Sequence, residues 1–246
     1  MDLENNGVPT ATMEEPRTGF FGKVTSHGDF VTRRLAPEFQ RQWDAWLQDG
    51  LQRSRAALGA RWLDTYLSSP IWRFALAPGV CGPQARAGLL MPSVDRVGRH
   101  FPLTLARALD GAAPLLDCVT AHHDWYAQLE LLALSSLEEG FSLEAFDAAV
   151  EALAPPVAAS PAPLRQSPVI ALAGIHPPAP PLASAAEGAG LVPAIAAAAL
   201  QGQCLWWTDG SPKVAPCLVL SRGLPSADAF SALLDGDWRG HAWPGA

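Results

Sequence analysis

Two apolar runs of strand length, Ala87-Gly88-Leu89-Leu90-Met91 and Phe101-Pro102-Leu103-Thr104-Leu105-Ala106, flank a polar interruption from Pro92 to His100. Short continuous apolar runs bounded by turn residues predict buried strands. A third, Ile71-Trp72-Arg73-Phe74-Ala75-Leu76, follows the breaker Ser69-Pro70 and alternates moderately. The links between the three are short, which favours antiparallel pairing. Upstream, Gly19-Phe20-Phe21-Gly22-Lys23-Val24 predicts a short aromatic strand, and Ser26 to Val31 a turn into an extended segment.

Helical segments are predicted in four places before residue 154. Phe39, Trp43, Trp46, Leu47, Leu51 and Ser54 share one face of a helix that starts at Pro37 and ends at Gly59. Arg61 to Leu67 predicts a further helical turn. Leu115, Leu116, Val119, His122 or His123, Tyr126, Leu129, Leu132 and Leu137 recur largely at three- and four-residue steps, predicting one long helix over 114–138. Gly140 stops it, and Ser142 caps another helix running to about Leu153.

The pattern then breaks. Over 155–190 the prolines are too dense for continuous helix or central strand, with Pro168 to Leu172 the one strand-like stretch. Order returns with a helix over Leu191–Leu200 and a strand at Cys204–Thr208. Asp209-Gly210 predicts a hairpin turn into the strand Pro216–Leu220. Ser226 then caps a closing helix that Gly236 ends. These elements imply an α/β (α+β) fold, one domain with a mostly antiparallel central sheet flanked by helices and a longin-like arrangement. Its parts are a flexible acidic leader (1–18), an α/β core (19–154), a Pro/Ala-rich linker (155–190) and a C-terminal hairpin and helix (191–240) completing the same domain.

Composition supports a packed core: 49% of the 246 residues are apolar, and nine are Trp. The net charge of −7 conceals an asymmetry. Residues 17–107 carry 13 basic and 6 acidic side chains; residues 108–246 carry 4 and 14. The halves either attract each other within one fold or leave a basic face for an acidic partner. Nucleic acid fits poorly, because there is no Lys-rich run. The acidic start lacks the features of a secretory signal, and no apolar stretch is long enough to span a bilayer. The expectation is a cytoplasmic protein without membrane insertion. Cys81, Cys118, Cys204 and Cys217 are scattered without metal-ligand spacing, so they are expected to be reduced core residues, and no cofactor is implied.

Candidate chemistry is sparse. Ser26, His27 and Asp29 crowd into four residues, but sequence neighbours rarely aim at one another as a triad does, and the G-x-S-x-G elbow is absent. His122 and His123 are adjacent and point to different helix faces, unlike a metal pair at i,i+4. The polar interruption is richer: Ser93, Asp95, Arg96, Arg99 and His100 sit between two core strands. An Asp95–Arg99 pair bracing the loop is one reading. A fixed basic surface for an acidic or phosphorylated partner is the other. A hydrolase with a pocket around Asp29, Asp95 and Arg99 is a rival, as is a purely structural accessory part.

Several stretches resemble the TagF family of type VI secretion regulators. Gly19-Phe20-Phe21-Gly22-Lys23 with Ser26-His27-Gly28-Asp29-Phe30, Trp43-Asp44-Ala45-Trp46-Leu47, and Ser69-Pro70-Ile71-Trp72-Arg73-Phe74 carry the likeness. Gly88 to Arg99 with Phe101-Pro102-Leu103 is the most specific, and Leu205-Trp206-Trp207-Thr208 and Gly223 to Leu234 extend it. The resemblance implies a non-enzymatic post-translational repressor that acts on the forkhead-associated scaffold protein of the secretion machine. This action lies apart from the Thr-kinase and phosphatase route. It supplies no catalytic residues.

Overall fold

The computed structural model describes residues 17–109, 115–156, 170–171 and 200–243. The leader, most of the linker and the expected helix over 191–199 lie outside them. The strands are β1 (Gly19–Gly22), β2 (Val31–Arg33), β3 (Trp72–Leu76), β4 (Arg86–Met91), β5 (Leu103–Ala108), β6 (Ile170–Ala171), β7 (Gln203–Thr208) and β8 (Cys217–Arg222). They form one sheet in the order β2-β1-β5-β4-β3-β7-β8-β6. Seven strands are antiparallel, and the two-residue β6 pairs parallel with β8. The C-terminal hairpin joins the sheet through β7 on β3, with Phe74 opposite Trp206.

Helices cover both faces, which explains why the strands read as continuous apolar runs rather than alternating ones. One face carries α1 (Pro37–Leu58), α2 (Trp62–Leu67) and α6 (Phe230–Asp235). Phe39, Trp43, Trp46, Leu47 and Leu51 of α1 pack there on Trp72, Phe74, Leu90 and Trp206. The other face carries α3 (Leu115–Thr120), α4 (His123–Ser135) and α5 (Leu143–Ala152) over Ala75, Leu89, Leu105 and Trp207. The expected core residues Trp43, Trp46, Leu47, Trp72 and Leu90 are all buried.

A buried indole needs an acceptor for its N–H. Trp43 donates to Thr104 Oγ1 at 2.9 Å, Trp46 to the Pro225 carbonyl and Trp72 to the Leu233 carbonyl, both at 2.8 Å. These bonds fix α1 against the sheet and the sheet against α6.

The structure corrects two boundaries. The single helix expected over 114–138 is two. Thr120 turns its hydroxyl back onto the Leu116 carbonyl, and the Asp117 carbonyl takes the amides of both Ala121 and His122. The hairpin expected at Asp209-Gly210 is present, with β7 and β8 antiparallel and joined by an eight-residue loop. The closing helix begins at Phe230 rather than Ala227, because Ser226 caps only a turn through its bond from the Ala229 amide.

The charge asymmetry is largely consumed inside the fold. Arg17 pairs with Glu151, Arg33 and Arg34 with Asp147, Arg53 with Asp228, and Arg73 with both Glu130 and Asp209. Each pair joins a base of the first half to an acid of the second. All four cysteines are buried and free. No described helix is long and apolar enough to cross a membrane.

Candidate functional site

The polar interruption folds as a hairpin tip between β4 and β5. Asp95 begins a tight turn: the Gly98 amide bonds its carbonyl at 3.0 Å, and its own amide bonds the Arg99 carbonyl at 3.0 Å. Val94 and His100 pair as an antiparallel bridge below it. Gly98 sits at φ +86°, the left-handed conformation with which a three-residue hairpin loop closes. The D-x-x-G spacing thus supplies the side-chain acceptor at the start of the turn and the permissive residue at its end.

The Asp95 carboxylate is saturated. Oδ1 accepts from the backbone amides of Val97 at 3.0 Å and Arg99 at 2.8 Å. Oδ2 accepts from Lys23 Nζ at 2.6 Å and Arg99 Nε at 2.7 Å. The residue is only 3% exposed. Burial alone pushes a carboxyl up, but the Lys23 ammonium and the Arg99 and Val97 donors more than offset it, holding Asp95 well below the usual carboxylate range.

Lys23 carries this anchor across the molecule. It follows β1, lies buried, and places its ammonium over the Phe30 ring at 4.7 Å from the centroid. Gly22 before it must be glycine: its φ is +143°, and a Cβ there would run into the Pro102 carbonyl of the hairpin. Arg99 also donates to the Gly28 carbonyl, and the Arg96 amide to that of His27 at 3.0 Å. The 23–30 loop and the 92–102 hairpin are therefore one locked unit.

Ser93 anchors the inner side. Its hydroxyl donates to the Lys23 carbonyl at 2.8 Å. Tyr66 of α2 donates to the Ser93 carbonyl at 2.8 Å and accepts from the Ser93 amide at 2.9 Å. Burial pushes the Tyr66 phenol up, against the weaker pull of Ser93 and Arg55 in the other direction, so it stays a neutral donor. His100 sets its ring edge-on against Trp62 and Tyr66.

Outward, the unit presents Arg96, Val97 at 65% exposure, the half-exposed Arg99 head and Phe30 at 46% exposure. Phe30 rests on Phe21 and Phe101. Arg96 has no side-chain partner among the described residues. Asp29 is also exposed at this tip, which keeps the net positive charge small.

This placement answers part of the sequence analysis. Asp95 with Arg99 is a brace, and Arg96 is free. Of the residues in the hydrolase reading, Asp95 and Arg99 are brought together, with both Asp95 oxygens occupied inside, while Asp29 is exposed outside. Ser26 Oγ and His27 Nδ1 do touch at 2.7 Å, but His27 makes no ion pair among the described residues. Sequence reasoning missed Lys23 and Tyr66. Lys23 had a signal: it is one of only two lysines among seventeen basic residues, placed directly after an aromatic strand.

Residues 19–153, more than half the chain, match the family described as TagF N-terminal domain, type VI secretion system-associated. The chain belongs to the TagF family. It is accordingly a type VI secretion-associated protein. Among solved structures this chain resembles PA0076 from Pseudomonas aeruginosa PAO1, with 40% identity, 89% of this chain and 94% of that chain covered, and a TM-score of 0.74. No curated protein matches. The family match ends at the close of α5, whereas the likeness to PA0076 takes in most of the chain.

Proposed function

We propose that this TagF protein is a non-enzymatic, cytoplasmic post-translational repressor of a type VI secretion system. It acts by binding the forkhead-associated scaffold protein of that system. The observation that supports a binding role is the locked hairpin tip. A buried carboxylate with four donors fixes the loop so that Arg96, Val97 and Phe30 face outward without further ordering. Preorganised exposed groups bind at a lower entropic cost than mobile ones.

The test is a pull-down of the purified full chain against the scaffold of the same organism, with secretion assayed in parallel. Wild type is expected to retain the scaffold. Arg96→Glu is expected to keep its melting temperature, lose the scaffold and release secretion, because a like charge then faces an acidic contact. A wild-type chain that does not bind the scaffold overturns the proposal. An Arg96→Glu chain that is folded and binds as tightly as wild type moves the contact away from this tip.

A further inference from the structure

The outer face of α4 carries apolar side chains that no described element covers. Trp125, Tyr126, Leu129 and Ala133 are its buried residues. Asp124, Ala127, Leu131 and Leu134 fall between them, at steps of three and four, and all are exposed. Residues at those steps line one stripe of a helix. After Ser135 the chain continues in three-residue turns: the Ser136 amide bonds the Ala133 carbonyl, Leu137 that of Leu134 and Glu138 that of Ser135. Residues three apart eclipse in such a turn, so Leu137 extends the stripe beyond Leu134. Leu131 is 70% exposed, Leu134 45% and Leu137 47%.

A single exposed Leu needs no explanation, because Leu is a good helix former and folded surfaces carry much apolar area. Three in line are a different matter. Leu131 is the most exposed large apolar side chain among the described residues. From Asp124 to Leu137 the stripe runs about 20 Å at ~1.5 Å per residue. That is a shape on which a second helix lays side chains spaced i, i+3, i+4 and i+7.

The charge around the stripe selects among occupants. Asp124 closes one end, and the exposed Glu138 and Glu139 close the other. None of the three forms an ion pair among the described residues, whereas Glu130 on the flank is spent on Arg73. No Lys or Arg occurs between residues 108 and 156. His123, at the start, is the one exposed base on α4. A second copy of this chain therefore fits poorly: antiparallel pairing of the two stripes sets Asp124 against the glutamates at both ends, and parallel pairing sets like on like. The anionic surface of a membrane is repelled for the same reason. The chain's own stretch from 157 to 199 has Arg165 and Glu187 as its only Lys, Arg, Asp or Glu side chains, so it brings no net charge to answer the acids.

We propose that this stripe is a docking surface for a basic amphipathic helix of a partner protein. The helix lays apolar side chains on Leu131, Leu134 and Leu137 and sets Lys or Arg against Asp124, Glu138 and Glu139. The acids at the two ends fix its position along the stripe, and the leucines supply the buried area. The surface uses none of the residues of the hairpin tip and does not depend on the proposed repressor role.

The experiment titrates labelled amphipathic helical peptides of about five turns into the full chain and reads fluorescence anisotropy. One peptide is built of Leu and Lys, one has Glu in place of every Lys, and one has Ser in place of every Leu. Wild type is expected to bind the Leu/Lys peptide saturably and neither of the others. Leu131→Asn with Leu134→Asn is expected to keep the melting temperature and to weaken binding at least roughly tenfold through lost apolar area. Glu138→Lys with Glu139→Lys is expected to weaken it several-fold and to make it less sensitive to salt. A wild type that takes the Leu/Lys peptide no better than either control overturns the proposal, as does a paired leucine variant that binds like wild type. So does sedimentation showing a wild-type dimer that the paired leucine variant dissolves, which makes a second copy the occupant. Binding of wild type, but not of that variant, to phosphatidylserine vesicles also overturns it, because the occupant is then a membrane.

Discussion

Asp95 and Arg86 are buried to nearly the same extent at the two ends of one strand pair, with opposite provision. Asp95 receives four hydrogen bonds, two of them from cations. Arg86 has the aromatic face of Phe39, the neutral thiol of Cys81, the pull of Glu38 from beyond ion-pair distance and an orphaned Nε. A saturated buried charge acts as structure: it sets the geometry of everything that touches it. An unsaturated one is a local cost that the packing around it has to carry. Burial alone therefore says little about function, and the count of partners says a good deal.

The comparison assumes a rigid slab between the two ends, and Trp43 is the residue whose removal breaks that slab. It is fully buried and bonded to Thr104. Trp43→Ala is expected to cost about 3–5 kcal/mol in chemical denaturation. An unchanged midpoint would mean that α1 does not tie the ends together.

Next in size is the contrast between neutralising the two sites. Lys23→Met removes one of the two cations on the buried Asp95 and is expected to lower the melting temperature sharply. Arg86→Met replaces an incompletely satisfied buried charge by an apolar chain and is expected to be neutral or stabilising. Equal losses in the two variants would erase the distinction.

Acid titration sharpens the Asp95 side. Its carboxyl is depressed in the folded state, so the unfolded chain binds the proton first. The stability Asp95 contributes is complete above the unfolded value, ~3.9, and is lost as pH falls from there through the lower folded value. Asp95→Asn lacks that contribution throughout. The gap in stability between wild type and Asp95→Asn is expected to be widest at neutral pH and to narrow steadily with acid below about pH 4. A gap independent of pH would place the effect of the substitution outside the ionised carboxylate.

The smallest effect is expected at Arg96, whose exposed side chain touches nothing in the described fold. Arg96→Glu should shift the melting temperature by no more than an ordinary surface substitution, within about ±0.5 kcal/mol. A large drop would show that the tip is braced from outside as well as inside.

Much of this was legible in the chain. The turn chemistry of Asp95 and Gly98 is local, and a type of turn reads directly from residues three apart. The Trp stripe of α1 and its Pro37 and Gly59 limits were legible for the same reason, since periodicity and caps need no tertiary context. The break between α3 and α4 was not. Its apolar spacing continues across residues 120–123, and only the doubled bond to the Asp117 carbonyl interrupts the helix.

The sequence by itself determined the elements, the buried Trp set, and which residues sit on the hairpin tip, because each rests on interactions between near neighbours. Tertiary structure alone decided what those residues do. Lys23 reaches Asp95 across seventy-two positions, and the basic first half spends its charge on acids of the second. Arg86 reads in the sequence as one more arginine among fifteen. Only the packing of α1 over the start of β4 strips it of water and leaves it unpaired, because desolvation is a property of what surrounds a charge and not of the charge itself.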